Sequence, residues 1–64
     1  MDWKYWENKR IFVKLKSGAV YSGNVIEVDK SPKEFCWIIM TDKFGKRVVV
    51  CNTEIEKIIE EEKE

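Results

Sequence analysis

Sixty-four residues leave room for one domain with a thin core, because a chain this short buries only about 60% of its unfolded surface. Two cysteines and no histidine fall short of the usual four ligands of a structural zinc site, so neither metal nor another cofactor is expected. Twelve basic and twelve acidic residues cancel, which removes the bulk electrostatic drive of a nonspecific DNA packer.

The balance is uneven along the chain. Residues 1–50 carry ten basic and six acidic side chains, whereas residues 51–64 carry two and six. No apolar run follows Met1-Asp2-Trp3-Lys4, and no segment approaches the roughly 20 apolar residues of a membrane-spanning helix. A cytoplasmic protein without membrane contact is the expectation.

In chain order, Asp2 is placed to cap a short helix over residues 2–9, with Trp3 and Trp6 on one face as a lid over the core. Trp3, Tyr5 and Trp6 are also candidates for engaging a protein partner. Ile11, Val13 and Leu15 alternate with Phe12, Lys14 and Lys16, the period-two signature of a half-buried strand over residues 10–16. Ser17-Gly18 supplies a tight turn, and a second strand spans residues 19–29 with Gly23 inside it, marking a bulge or a sharp bend. The loop Lys30-Ser31-Pro32-Lys33-Glu34 follows. A near-continuous apolar run from Phe35 to Thr41 predicts a strand covered on both faces. Asp42-Lys43-Phe44-Gly45 predicts a hairpin turn, and Lys46–Cys51 a fourth strand.

The last element is ambiguous. Ile55, Ile58 and Ile59 have helical spacing, and Thr53 with Glu56 would form a capping box, yet a short strand over residues 54–60 is the rival. Residues 61–64 are expected to be a solvated acidic tail.

Catalysis has little support. There is no histidine, no glycine-rich phosphate loop, and no serine or cysteine with a base beside it. Asp29 and Asp42 are candidates for an acid–base pair, but both stand where turn and strand-end aspartates are common for structural reasons. An enzyme is not expected.

Val13, Leu15, Gly18, Tyr21, Gly23, Val25, Val28 and Asp29, in this order and nearly this spacing, make the chain resemble the Sm-like family, the LSm and Hfq-related proteins of archaea and bacteria among them. The second family motif is partly met: Val48-Val49-Val50 and Ile55…Ile58 stand in place, but Cys51-Asn52 replaces Arg-Gly. The resemblance implies an all-β fold: a small five-stranded, strongly bent antiparallel SH3-like barrel with a short N-terminal helix, and residues 54–60 as its last strand. It implies a hexameric or heptameric ring, paired through Val48, Val49, Val50, Ile55, Ile58 and Ile59. The alternative is a monomeric SH3-like barrel acting as an interaction module.

The resemblance further implies binding of single-stranded, uridine- or A/U-rich RNA, in RNA processing, stability or chaperoning. The resemblance places Asp29, Cys36, Cys51 and Asn52 at the RNA site. Beside them Lys30 and Lys33, with Lys43, Lys46 and Arg47, are candidate phosphate contacts and Phe35 a candidate stacking surface, the alternatives being solvated loop lysines, a core phenylalanine and a turn asparagine at 52. Loss of the family arginine at Cys51 removes a cation and a planar stacking surface. Cys36 and Cys51 fall at positions the family brings together, which makes a disulfide between them one alternative and two reduced thiols the other.

Overall fold

The structure, a computed structural model, describes residues 2–61. Five antiparallel strands form one sheet: β1 (Arg10–Leu15), β2 (Val20–Asp29), β3 (Trp37–Asp42), β4 (Arg47–Cys51) and β5 (Ile55–Glu60), in the spatial order β4-β3-β2-β1-β5. The sheet is not closed: β4 and β5 do not pair with each other. A barrel in the strict sense is therefore not formed, but the sheet is strongly curled. Four inter-strand spacings would put the edges of a flat five-stranded sheet roughly 19 Å apart. The chain crosses from β4 to β5 through a single 3-10 turn, Asn52–Glu54. Its four Cα steps reach at most about 14 Å, so the two edges must curl toward each other.

The N-terminal element is a 3-10 turn over Trp3–Trp6, shorter and tighter than the helix expected over residues 2–9. Asp2 caps it as predicted, accepting the Lys4 amide at 3.0 Å. At three residues per turn Trp3 and Trp6 fall on the same side. Trp6 is buried in the core, and Trp3 packs partly against it. Asn8 then adopts φ 66°, a left-handed conformation asparagine tolerates better than most residues, and turns the chain into β1.

Val25 and Val28 are both buried although three residues apart, a spacing that ordinary alternation forbids. A bulge between Val25 and Glu27 reconciles them, leaving Ile26 as the extra, half-exposed residue. The N-terminal segment pairs the backbone there. Asn8 N–H donates to the Val25 carbonyl, Val25 N–H to the Lys9 carbonyl, and Val28 N–H to Glu7 Oε2, each at 2.9 Å. The same device resolves the last element. A register shift at Lys14/Leu15 skips Glu56, so Ile55 and Ile58 both pack against the core from a strand. The free edge of β1 supplies ladder hydrogen bonds that an isolated helix would forgo.

β3 is covered on one face only. Ile38 and Met40 are fully buried, whereas Trp37 on the outer face is 38% exposed. The expectation of two covered faces fails because β3 lies in a single sheet and no second layer packs on its outer side. Gly23 is not the bulge. It pairs with Ile11 of β1 and Asp42 of β3 at once, and a Cβ there would drive into the Thr41 carbonyl oxygen and lie 2.8 Å from Asp42 Cα. At the hairpin tip, Asp42 Oδ1 accepts the amides of Phe44 (2.9 Å) and Lys46 (2.8 Å), and Gly45 takes φ 83°. Glu61 is tied down rather than free: its N–H donates to the Arg10 carbonyl and its Oε1 accepts the Ser22 hydroxyl at 2.7 Å. The tail beyond it, residues 62–64, lies outside the described residues.

Gly23→Ala should lower stability by at least about 3 kcal/mol, since backbone rather than a flexible side chain must give way. Gly18→Ala, strained only by its φ of 99°, should cost about 1–2 kcal/mol. Urea denaturation measures both, and equal losses would remove the close approach as the constraint.

Glu7 is held below the ordinary glutamate range, first by the Val28 amide and then by Lys4. A carboxylate with a depressed folded-state pKa contributes stability that is fully present above its unfolded value and is lost as pH falls through the folded one. Thermal melts from about pH 5 down to 3 should show a smaller drop for Glu7→Gln than for the wild type. An unchanged slope would leave Glu7 without a role in docking the turn.

Candidate nucleic-acid site

Proline at position 32 and the end of β2 force residues 30–36 into a loop at one end of the sheet. Asp29 Oδ1 accepts the Ser31 amide at 2.9 Å, and that bond, more than any cation, holds its carboxyl below the ordinary range. Asp29 thus shapes the loop from within. Phe35 packs edge-on against Trp37, ring centroids 5.3 Å apart at 87°.

Asn52 ties this loop to the turn after β4. Its Oδ1 accepts the Cys36 amide at 2.9 Å, and its own N–H donates to the Cys36 carbonyl at 3.0 Å. With Oδ1 so engaged, the side-chain NH₂ is left as a donor. A cavity of about 230 Å³ opens beside this clamp. Five of the seven residues expected at an RNA site line it: Lys30, Lys33, Phe35, Cys36 and Asn52. Trp3, Pro32 and Glu34 complete the wall. The sequence signal at Trp3, its i,i+3 spacing from Trp6, points to the lid and not to the cavity. The second role comes from the loop folding back toward the N-terminal turn.

Two expected residues do not reach the cavity. Asp29 is turned into its loop, and Cys51 lies opposite Trp37, on the other face of the sheet from Cys36. That alternation also explains why the disulfide is not formed: both thiols are free, Cys36 buried with Ile38 and Met40 and Cys51 half-buried beside Thr53 at 3.1 Å. Burial, then the neighbouring Cys51, raises the Cys36 pKa, which keeps it a neutral thiol. Lys43, Lys46 and Arg47 sit at the opposite end of the sheet, around the Asp42 turn, and do not join Lys30 and Lys33. Asp29 and Asp42 are likewise separated by the length of β3, each engaged in its own turn.

Among the interface candidates, Val50 is 6% exposed and belongs to the core, so only its backbone is available at the edge. Val48, Ile55 and Ile58 pack partly on the core, while Val49 and Ile59 are 51% and 44% exposed. Trp6, at 7%, is unavailable to a partner, whereas Tyr5 is exposed and donates its hydroxyl to Glu60 at 3.2 Å. Among the described residues no cluster of metal-ligating side chains occurs, and no helix is long and apolar enough to cross a membrane. No family model, curated protein or solved structure matches the chain.

Native protein should expose one thiol to a bulky disulfide reagent, Cys51, with Cys36 reacting only on unfolding. Two thiols reacting at equal rates would contradict the assigned faces. Asn52→Ala leaves the Cys36 amide without its partner and should cost about 1–3 kcal/mol in urea denaturation, whereas Asn52→Asp keeps the acceptor and most of the stability.

Proposed function

We propose that this chain is an Sm-like subunit that assembles into a hexameric or heptameric ring and binds single-stranded, uridine- or A/U-rich RNA, serving RNA processing, stability or chaperoning in the cytoplasm. It is a binder and not an enzyme. The observation that carries the reading is the cavity, where two lysines, two aromatics and the Asn52 amide converge on a space below the roughly 300–1,000 Å³ of drug-sized pockets. Single-stranded RNA is recognised by such a combination: a stacking surface, polar groups for base edges and cations for phosphate.

The strand order supports the ring. β4 and β5 are the two edges, each with a row of backbone groups that no strand among the described residues pairs. Val49 and Ile59 add exposed apolar side chains to those edges. Such edges invite uncontrolled association unless something covers them. Pairing β4 of one copy with β5 of the next covers both, a head-to-tail contact that gives a ring when the rotation between copies closes.

Light scattering after size exclusion should give a mass of six or seven chains. A stable monomer would overturn the ring and favour a lone interaction module. Oligouridylate binding should weaken with salt, and Lys30→Ala and Lys33→Ala should each reduce the slope of log K against log salt by about 0.7. Salt-insensitive binding, or none at micromolar protein, would refute the RNA reading.

A further inference from the structure

The N-terminal turn forms part of the cavity wall, and its chemistry fills a gap in the site. The guanidinium that the resemblance places at position 51 is absent, and Cys51 lies away from the cavity. Among the described residues no arginine lines the space. Its aromatic residues are Phe35, already engaged edge-on with Trp37, and Trp3. Trp3 is held from three sides. The Asp2 cap fixes the start of its turn, Trp6 anchors the next turn in the core, and the indole packs partly against the core itself.

The same turn brings a carboxylate to the cation. Asp2 Oδ1 stands 3.4 Å from Lys30 Nζ, with both side chains more than half exposed. So solvated a pair is weak and is exchanged for another anion at little expense. Glu34 is a second carboxylate on the rim, so Lys30 and Lys33 are balanced until Asp2 is displaced.

We propose that Trp3 is the stacking surface for a pyrimidine base of single-stranded RNA entering this cavity, and that Asp2 occupies Lys30 until the phosphate of that nucleotide replaces it. The proposal rests on the RNA reading above. It adds that the N-terminal turn, and not the strand-end motif, supplies the planar surface. Stacking of one base on an aromatic is worth about 1–3 kcal/mol, equivalent to between about fivefold and 150-fold in affinity.

The test uses labelled oligouridylate and the full chain, with affinity read by anisotropy at low salt. Trp3→Leu, which keeps an apolar group against the core, should bind between about fivefold and 150-fold more weakly, and Trp3→Phe should recover most of the loss. Asp2→Asn retains the cap, because asparagine serves equally well there. It frees Lys30, so it should tighten binding by roughly two- to fivefold, an effect that fades as salt rises. In a Trp37→Phe background, Trp6 is buried and Trp3 is the reporting indole, so its emission should be quenched by the RNA even if Trp3→Leu fails to fold. Wild-type binding with Trp3→Leu binding equally well, or with unquenched Trp3 emission, overturns the proposal and leaves the RNA reading standing. Absence of wild-type binding overturns both.

Discussion

The structure depends on the missing side chain at Gly23. At this residue β2 is hydrogen-bonded between β1 and β3, facing Ile11 on one side and Asp42 on the other. The Thr41–Asp42 backbone comes so close that no Cβ fits. Strand β2 can therefore serve both halves of the sheet: its first half pairs with β1, its second with β3. With this crossing in place, a three-residue turn is long enough to carry the chain from β4 to β5 at the two edges of the curled sheet.

The N-terminal turn completes what the bulge in β2 leaves open. The bulge brings Val25 and Val28 to the same buried face, which thickens the core they share with Ile11, Val13, Ile38 and Met40. In doing so it frees ladder groups, and an unpaired backbone group away from water is costly. Glu7, Asn8 and Lys9 take them up. Docking there seats Trp6 in the core and carries Trp3 to the cavity. The lid and the site are thus two consequences of one set of hydrogen bonds.

Asn52 has a comparable position at the other end of the cavity. Its side chain closes a two-bond clamp on Cys36, so the β2–β3 loop and the β4–β5 turn act as one wall. The rim combines Lys30 and Lys33 with Glu34 and the nearby Asp2, a nearly balanced set held in part by one exposed ion pair. The exposed cations at the far hairpin form a separate basic region around the Asp42 turn.

Strand positions, the Gly18 turn, the Asp42 hairpin with Gly45 and the Asp2 cap were legible in the amino-acid order, because alternation, positive-φ glycine and short polar caps are local properties. The clustering of Lys30, Lys33 and Phe35 was legible too, since they share one short loop. Tertiary structure decided the rest. The spacing of Ile55 and Ile58 left helix and strand open until a bulge against β1 fitted it to a strand, and Gly23, expected at a bulge or a sharp bend, marks a close approach between strands. Cys36 and Cys51 came to opposite faces, and Trp3 acquired a second surface to line. Each of these depends on which strand lies alongside and in what register, and a period read along one segment carries no record of its neighbour.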